Sequence, residues 1–343
     1  MPAEWEPHAA TWLAWPHNET DWPGKGLMVE WVFVEMARLL HQRERVRIVV
    51  ASRAEQNRAK KKLAQEGVEL SRVDFFRAAT DRSWTRDFLP TFVRSGKRAV
   101  AVKWQFNGWA RYPDWAKDDR AGEAVARRFA AEVLRPTHPM RGKARRVVLE
   151  GGAIDVDGEG TLLATEQCLL TGPRARNRSL GREGTEQVFL EALGVSRVLW
   201  LPEGIEGDDT SGHIDDFARF VAPGRVVLAE EPRRSDPNHR LLARARERLR
   251  GARDARGRRV EVIPLPMPEP VVFAGQRLPA SYANFYLANG LVLVPTFNDP
   301  ADARALGLLR ELFPSRKVVG VHCRDLVLGL GTLHCSTQQE PAA

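Results

Sequence analysis

The sequence predicts a mixed α/β fold, and three observations support that prediction. Segments with the apolar spacing of an amphipathic helix alternate with short runs of aliphatic residues, and the alternation recurs at intervals of roughly 50 to 70 residues. The 343 residues, of which 43% are hydrophobic, are enough for a large buried core. No linker rich in Pro, Ser and Gly divides the chain, so we expect residues 1–343 to form a single domain.

In the N-terminal half, the spacing of apolar residues predicts the helices and strands. The first 24 residues hold four tryptophans and four prolines, which exclude one regular helix and favour packing of this segment onto the body. Beyond it, apolar residues repeat at helical spacing in some segments and form continuous runs in others. The predicted elements are a helix after Leu27, strand 46–50, a charged helix 53–66, strand 68–76, strand 99–103, and a helix carrying Val125, Phe129 and Val133.

In the C-terminal half, turn and capping signals define the elements. Two helices begin with Asp-Pro, which supplies an N-cap and a proline suited to the first helical position. A strand pair is predicted around a Gly-rich turn at 157–160. The predicted elements are strands 147–149 and 161–164, a helix after Asp236, strands 260–263 and 291–294, a helix after Asp299, and strand 318–321.

Composition narrows the class of protein. Three cysteines are too few for a disulfide framework and suit a reducing compartment. The first residues lack the basic and apolar regions of a secretory signal, and no apolar run approaches the roughly 20 residues that span a bilayer. We therefore expect a soluble, cytoplasmic protein with no membrane partner. Oligomeric state is open at this stage, with a homo-oligomer among the alternatives.

The formal charge of +8 raises the alternative of a nucleic-acid-binding protein. Arg and Lys are concentrated in helical segments at 53–62, 120–135 and 240–259, where such runs are typical of solvated helix faces. The densest run, 244–259, fits either RNA contact or a plain surface segment. We favour the second interpretation and expect no nucleic-acid partner.

A cysteine near the C-terminus is the first candidate functional residue. Cys335 follows a Gly-containing link at 329–331 and precedes the polar run 336–340, which offers no apolar face for packing. Glycines allow sharp turns and close approach to a ligand. A strand that delivers a thiol to a polar pocket and a buried, inert cysteine are equally consistent with this segment alone.

The segment 203–216 carries six carboxylates and no Lys or Arg, within a chain of net positive charge. Crowded like charges are unfavourable unless a cation joins them, either a metal ion or a cationic substrate. His213 and Asp215 are two residues apart, so on an extended strand they would share one face. The closely spaced Cys and His pairs of a zinc site are missing from the sequence, and we therefore expect an organic cation rather than a metal.

Two further acidic groups stand in polar clusters, Asp87 in Trp84-Thr-Arg-Asp87 and Glu150 before two glycines. Either cluster also fits an ordinary turn. Carboxylates can hold a planar guanidinium in the way they hold an arginine side chain. A cysteine would attack its central carbon, and a histidine would protonate the leaving ammonia and then activate water.

Taken together, the motifs identify a family resemblance. The chain resembles agmatine deiminases and Porphyromonas-type peptidylarginine deiminases, within the guanidine-modifying superfamily, almost from end to end. The motifs that carry the resemblance are Glu4-Trp-Glu-Pro-His8, Thr11-Trp-Leu-Ala-Trp-Pro-His17, Trp84-Thr-Arg-Asp-Phe-Leu-Pro90, Phe106-Asn-Gly-Trp109, Glu150-Gly-Gly152, Gly207-Asp-Asp-Thr-Ser-Gly-His-Ile-Asp-Asp216 and His334-Cys-Ser-Thr-Gln-Gln339.

The resemblance implies a five-bladed α/β propeller of pseudo-repeated ββαβ units with a central active site. It implies hydrolysis of agmatine to N-carbamoylputrescine and ammonia, a step toward putrescine, through a covalent thiouronium intermediate, without metal or organic cofactor. Cys335 falls on the family's nucleophile and His213 on its acid–base histidine. Asp87 and Asp215 fall on the guanidinium-binding carboxylates, with Glu150 in the same site. For the tail of a small cationic guanidine substrate, the candidate residues are Trp84, Asp208 and Asp209.

The chain departs from the family pattern at Ala110-Arg111, at Ala153 and in the link before Cys335, which is poorer in glycine. These differences leave the proposed catalytic groups intact, and we expect them to alter the part of the pocket that binds the substrate's tail. Two alternatives therefore stay open. One is deimination of free or peptidyl arginine to citrulline, with Arg86 or Arg111 as a partner for a carboxylate. The other is a non-catalytic propeller that binds RNA or protein.

Overall fold

The computed structural model describes residues 1–96, 98–140 and 142–342, and it contains helices and strands in alternation. The helices are α1 Gly26–Leu40, α2 Arg53–Gln65, α3 Thr85–Phe88, α4 Ala116–Phe129, α5 Gly181–Leu193, α6 Pro237–Leu249 and α7 Ala301–Leu312. The first ten strands are β1 His8–Ala14, β2 Arg45–Val50, β3 Val73–Arg77, β4 Thr91–Ser95, β5 Arg98–Val102, β6 Glu132–Leu134, β7 Thr137–Met140, β8 Lys143–Arg146, β9 Asp155–Val156 and β10 Thr161–Thr165. The others are β11 Arg197–Leu201, β12 Ala218–Ala222, β13 Arg225–Glu230, β14 Glu261–Pro266, β15 Val272–Phe273, β16 Gln276–Arg277, β17 Tyr286–Ala288, β18 Leu291–Thr296, β19 Lys317–His322 and β20 Gln338–Pro341.

One strand order recurs in four three-stranded sheets. In each, the first strand pairs antiparallel with the second, a helix follows, and the third strand pairs parallel with the second, as a helical crossover requires. The sheets are β4-β5-β6, β9-β10-β11, β12-β13-β14 and β17-β18-β19. The mixed α/β fold predicted from the sequence is therefore confirmed, and the helix-strand alternation is a repeated ββαβ unit.

A fifth sheet, of four strands, joins the two ends of the chain in the order β20-β1-β2-β3, and the described residues also form the two-stranded sheets β7-β8 and β15-β16. β20 pairs antiparallel with β1, placing Gln338 opposite Trp12, and the indole Nε1 of Trp12 donates a hydrogen bond to Oε2 of Glu340 at 3.0 Å. The polar run after Cys335 thus packs inside the protein, because sheet pairing and side-chain contacts satisfy its polar groups. This pairing fixes the position of the cysteine.

Most local signals predicted the elements correctly, with the Asp236 N-cap as an example: its carboxylate accepts from the backbone N–H of Asn238. Other predictions were wrong. β3 begins at Val73 rather than at residue 68, and the N-cap of α7 is Pro300 rather than Asp299. Val133 lies in β6 rather than on the preceding helix, which ends at Phe129. The apolar run 147–149 does not pair with β10. It makes one isolated bridge, between Val148 and Gln105, while β9 pairs with β10 instead.

Across residues 1–96, 98–140 and 142–342, no helix combines the length and the apolar composition that crossing a membrane would require.

Candidate active site

Four short segments from distant parts of the chain meet around one cluster of polar side chains. They are α3, the 3-10 turns Gly151–Ala153 and Ile214–Asp216, and the turn that contains Cys335 just before β20. The backbone N–H of Arg86 in α3 donates to the carbonyl of Cys335 at 3.2 Å, which joins the first of these segments to the last. The structure therefore brings the five predicted catalytic residues into one region.

Asn284 holds the turn that carries the thiol. Its amide Nδ2 donates to Sγ of Cys335 at 3.1 Å. Its Oδ1 accepts from the backbone N–H of His334 at 3.1 Å and from the hydroxyl of Thr332 at 2.8 Å. Asn284 was not among the residues singled out from the sequence, where nothing distinguishes it from an ordinary buried amide.

The surroundings of Cys335 favour the protonated thiol over the thiolate. Its side chain is buried, and its Sγ lies 3.6 Å from Oδ2 of Asp215. Burial, followed by the negative charges of Asp215, Asp216 and Asp87, raises the pKa of Cys335 well above its ordinary value, and the Asn284 hydrogen bond only partly opposes this. A cation placed among these carboxylates would remove most of that electrostatic opposition.

The imidazole of His213 lies among the three predicted carboxylates. Its Nδ1 lies 3.9 Å from Asp87 and 4.0 Å from Asp215, and its Nε2 lies 3.7 Å from Glu150. Neither ring nitrogen has a hydrogen-bond partner among the described residues. Burial alone would lower the pKa of His213, but the three carboxylates outweigh it and raise the pKa to about 9. The ring is an imidazolium at neutral pH and can donate a proton.

The two predicted guanidinium-binding carboxylates differ in their surroundings. Asp87 accepts from the backbone N–H of Gly152 at 3.0 Å and from Nε1 of Trp109 at 2.8 Å. Burial raises the pKa of Asp87 to about 6, although His213 opposes the rise. Oδ1 of Asp215 is buried and has no hydrogen-bond partner in the part of the chain that the structure describes. This oxygen is free to accept from a ligand.

Asp215 is held from behind by His334. Nδ1 of His334 lies 2.6 Å from Oδ2 of Asp215, and Nε2 lies 2.8 Å from Oε2 of Glu4. Burial would raise the pKa of Asp215, but the hydrogen bond and charge of His334 prevail and the pKa is lowered. The sequence prediction left His334 out of the acid–base role, and in the structure both of its ring nitrogens contact carboxylates, those of Asp215 and Glu4.

The strand predicted for His213 and Asp215 was wrong. The chain forms a 3-10 turn over Ile214–Asp216, with His213 directly before it. The two side chains still approach each other because the turn, rather than a pleated strand, brings them together. Asp216 accepts from Nδ2 of Asn284 at 3.2 Å, and burial together with the neighbouring Asp215 raises its pKa well above the ordinary value.

Glu150 forms a buried ion pair with an arginine that sequence reasoning missed. Nε of Arg176 lies 2.9 Å from one carboxylate oxygen of Glu150 and 3.0 Å from the other. Arg176 also donates to the carbonyl of Thr210 at 2.7 Å. Burial would raise the pKa of Glu150, but the charge of Arg176 lowers it. Glu150 is therefore ionised and oriented, and it presents negative charge to His213.

A glycine makes the close packing of the cluster possible. A Cβ added to Gly152 would lie 2.5 Å from Nδ1 of His213 and 3.1 Å from both oxygens of Asp215. Gly331 is similarly placed, since its Cβ would lie 3.0 Å from Cβ of Cys335. These positions have no room for any side chain, which explains the close backbone approach that the sequence predicted.

A cavity of about 280 Å³ opens onto the cluster. It includes two of the five predicted catalytic residues, Asp87 and Cys335, while the other three pack around them. The lining residues are Thr20, Asp21, Arg82, Trp84, Asp87, Trp109, Tyr112, Asp209, Thr210, Leu328, Gly329, Leu330, Gly331 and Cys335.

Two of the three predicted tail-binding residues, Trp84 and Asp209, are in that lining. Asp208 is not. Its carboxylate accepts from the backbone N–H groups of Thr210 at 2.7 Å and Gly212 at 2.6 Å, which shapes the loop before His213. The contacts give Asp208 a part in loop structure, and a role for it at the substrate's tail stays a prediction.

Two triads have potential metal-ligand atoms within 4.8 Å of one another. In one, Glu150, Cys168 and His213, the carboxylate is already paired with Arg176. In the other, Asp215, Asp216 and Cys335, the pKa values of Asp216 and Cys335 are raised, so these groups keep protons that a metal ligand must lose.

Comparisons with known proteins agree with this arrangement. The family described as Porphyromonas-type peptidyl-arginine deiminase matches residues 1–341. A curated agmatine deiminase of Ectopseudomonas mendocina (strain ymp) is 39% identical over 366 residues, spanning 100% of this chain and 95% of the relative. The solved agmatine deiminase of Enterococcus faecalis superposes with a TM-score of 0.89 at 31% identity, covering 100% of this chain and 95% of that one.

A more distant match concerns the fold alone. DDAH from Pseudomonas aeruginosa superposes with a TM-score of 0.55 at 12% identity, over 97% of this chain and 99% of that one. The mixed α/β fold is thus shared with that protein. With the family match over almost the full length, the chain belongs to the Porphyromonas-type peptidyl-arginine deiminase family.

Proposed function

We propose that this protein is an agmatine deiminase, a C–N hydrolase that converts agmatine and water to N-carbamoylputrescine and ammonia, a step toward putrescine. The observation that carries the proposal is the buried thiol of Cys335 beside Asp215, with an imidazolium and three further carboxylates around it. The names of the agmatine deiminases that it resembles over their full length support the choice of substrate.

In the first half-reaction, the guanidinium lies between Asp87 and Asp215, where the free oxygen of Asp215 can accept its N–H groups. The positive charge offsets the carboxylates that raise the thiol pKa, so Cys335 loses its proton to solvent in the cavity while Asp215 stays ionised. The thiolate then attacks the guanidinium carbon. His213 donates a proton to the departing nitrogen, ammonia leaves, and a covalent thiouronium remains on Cys335.

In the second half-reaction, His213 is neutral and takes a proton from water. The hydroxide adds to the thiouronium carbon, and collapse breaks the C–S bond, releasing the ureido product and the thiolate. The thiolate takes the hydroxyl proton of the protonated product, which leaves as the neutral ureido compound and restores the thiol. Both half-reactions use His213, which lies close to Asp87. The orientation of Asp215, which binds the guanidinium, is fixed by His334.

For the architecture, we infer that the five sheets are the blades of a propeller and that the chain is one domain. The support is the recurrence of one strand order in four sheets and the completion of the fifth by β20, which joins the C-terminus to the N-terminal strand. Closure of that kind places the ends of several units near a common centre, where α3 and the turn with Cys335 meet.

Free or peptidyl arginine is the alternative substrate within the same chemistry. Arg86, one residue suggested for the substrate carboxylate, is buried and donates to the carbonyl of His334 and to Gln339 and Glu4. Arg111, the other, lies 3.9 Å from Asp209. Both guanidinium groups already face oxygen atoms, which favours a substrate without a carboxylate.

RNA binding through 244–259 is the alternative from another class. Several arginines of this segment are paired with acidic side chains, so their charge is locally balanced. The pairs are Arg244 with Glu203, Arg246 with Glu230, Arg248 with Glu166, Arg250 with Glu247 and Arg258 with Glu159. We therefore propose a small-molecule substrate and no nucleic-acid partner. The three free cysteines suit the reducing cytoplasm.

The test is a substrate panel of agmatine, arginine and an arginyl peptide, with detection of ammonia and of the ureido product. Agmatine should be turned over with the highest kcat/KM, and Cys335→Ala should abolish the reaction. A tenfold preference for the peptide would replace agmatine by peptidyl arginine. Equal rates with and without the thiol would remove the deiminase proposal.

A further inference from the structure

An aspartate that sequence reasoning did not single out lines the same cavity as Cys335. Asp21 lies in the loop between β1 and α1 and is only 5% exposed. Its Oδ1 accepts a hydrogen bond from Nη1 of Arg82. Its Oδ2 is buried and has no hydrogen-bond partner within residues 1–96, 98–140 and 142–342. A buried carboxylate oxygen without a donor is unfavourable, and such groups are rare in folded proteins.

The positive charges around Asp21 only partly balance its negative charge. Burial raises the pKa of Asp21 to about 6, and the charge of Arg82 and the nearby side chain of Trp84 offset this only in part. Arg82 is shared, because its Nη2 also lies 3.0 Å from Asp114. Asp209 adds a second carboxylate to the same cavity wall and accepts from the hydroxyl of Tyr112 at 2.5 Å. This end of the cavity thus has acceptors in excess of donors.

We propose that Oδ2 of Asp21 binds a terminal ammonium group of the guanidine substrate. The inference rests on the proposed deiminase function, and it adds the residue that recognises the end of the substrate opposite the guanidinium. A primary ammonium carries three donors and a full positive charge, which meets the need of the unpartnered oxygen with a charge-assisted hydrogen bond.

The same geometry disfavours an α-amino acid in this position. A carboxylate on the substrate would need a guanidinium with free donors. Both terminal nitrogens of Arg82 are engaged, and its plane stacks 4.3 Å from the ring of Tyr112. Only Nε of Arg82 lacks a partner among the described residues, and it cannot give the bidentate contact that a carboxylate prefers. The subsite therefore selects an amine without an adjacent carboxylate.

The loop that carries Asp21 is held in place before any ligand arrives. The backbone N–H of Asp21 donates to the carbonyl of Asn18 at 3.2 Å, and the side chain of Asn18 donates to the carbonyl of Asp81 at 3.0 Å. The next residue, Trp22, is buried and donates from Nε1 to the carbonyl of Leu326 at 2.9 Å. A carboxylate held in this way needs little reorganisation to bind.

The test compares two isosteric variants, Asp21→Asn and Asp114→Asn, on two substrates. Both aspartates pair with Arg82, but Asp114 is outside the cavity lining, so it controls for the loss of an ion pair. The substrates are agmatine and butylguanidine, which has the same carbon chain without the amine. Asp21→Asn should raise KM for agmatine about tenfold to a hundredfold, and should change KM for butylguanidine less than about twofold. Asp114→Asn should leave the ratio of the two KM values unchanged.

Three results would overturn the subsite while leaving the deiminase proposal intact. They are equal effects of Asp21→Asn on both substrates, an equal effect of Asp114→Asn, and turnover of butylguanidine by the unmodified enzyme as efficiently as agmatine. Calorimetric binding of agmatine and butylguanidine to Cys335→Ser protein tests the subsite without turnover. Tighter binding of agmatine that Asp21→Asn removes supports the subsite even if no substrate is hydrolysed, and equal affinities contradict it.

Discussion

Nδ1 of His334 lies 2.6 Å from Oδ2 of Asp215, the oxygen that also lies 3.6 Å from Sγ of Cys335, and this contact fixes the orientation of the carboxylate. Because His334 contacts Oδ2, the other oxygen, Oδ1, is available to the substrate. Nε2 of His334 is held in turn by Glu4, 330 residues away in the chain. Glu4 also pairs with Arg219 and Arg86, so a buried ionic network supports the carboxylate from the side opposite the cavity.

His334 should therefore act as a positioning residue, and replacing it should weaken catalysis without removing the catalytic groups. We expect His334→Leu to lower kcat/KM about a hundredfold, the order of loss caused by a small displacement of a reacting group. His334→Asn should recover part of this, because its amide can replace Nδ1 as a donor to Asp215. Steady-state kinetics on folded, thermally characterised variants will measure the difference. Identical losses in the two variants would mean that His334 acts only through packing.

The pH profile of kcat/KM should have two limbs. Below about pH 6 activity should fall, because protonated Asp87 cannot hold a guanidinium, and above about pH 9 it should fall because His213 has lost the proton that it donates. Butylguanidine is the suitable substrate, since it removes any contribution from Asp21, whose pKa is also about 6. Because these buried groups interact, the apparent pKa values of the two limbs belong to the cluster as a whole rather than to one residue each. A profile that is flat from pH 5 to 10 would contradict the assigned roles.

Gly152→Ala should abolish most activity while the protein still folds. The added Cβ would lie 2.5 Å from Nδ1 of His213, so the imidazole or the turn must move. We expect a loss of about a hundredfold or more in kcat. Gly307→Ala in α7 is the matched control, since its Cβ would meet nothing within 4 Å. Comparable activity of the two variants would show that the close approach at Gly152 has no functional consequence.

Asp118, which lies outside the reaction, should make stability depend on pH. Burial raises its pKa to about 8, although backbone N–H groups of Asp81 and Arg82 donate to it. The folded protein therefore retains a proton that the unfolded chain releases, so stability falls as the pH rises from about 4 to about 8. Asp118→Asn should be more stable relative to the unmodified protein at pH 9 than at pH 5, by on the order of 1–3 kcal/mol. Thermal unfolding at both pH values measures this, and a difference that does not change with pH would refute it.

The residue types of the site could be predicted from sequence because their chemistry is unusual in its context. A thiol near a terminus and a run of carboxylates in a basic chain both require an explanation, and they pointed to Cys335 and to the segment with His213 and Asp215. Their backbone conformation could not be predicted in the same way. The segment at Asp215 forms a 3-10 turn because its side chains bond to partners that are distant in the sequence. The local hydrophobic pattern contains no information about such contacts.

The supporting residues had no comparable signal. Asn284 and Arg176 are an amide and an arginine in unremarkable surroundings, and their importance comes from contacts with residues 51 and 26 positions away. Asp21 was not singled out from the sequence either. Its significance depends on an unpartnered oxygen, which is a property of the folded protein.

The central claim is that the thiol of Cys335 forms a covalent bond with the substrate's guanidinium carbon. Acid quenching of the enzyme during turnover of agmatine, followed by peptide mass spectrometry, tests it directly. The account predicts a substrate-derived adduct, equal in mass to agmatine less ammonia, on the peptide that contains Cys335, and none in Cys335→Ala. Turnover with no adduct on that peptide, or an adduct on Cys168 or Cys323 instead, would contradict the account.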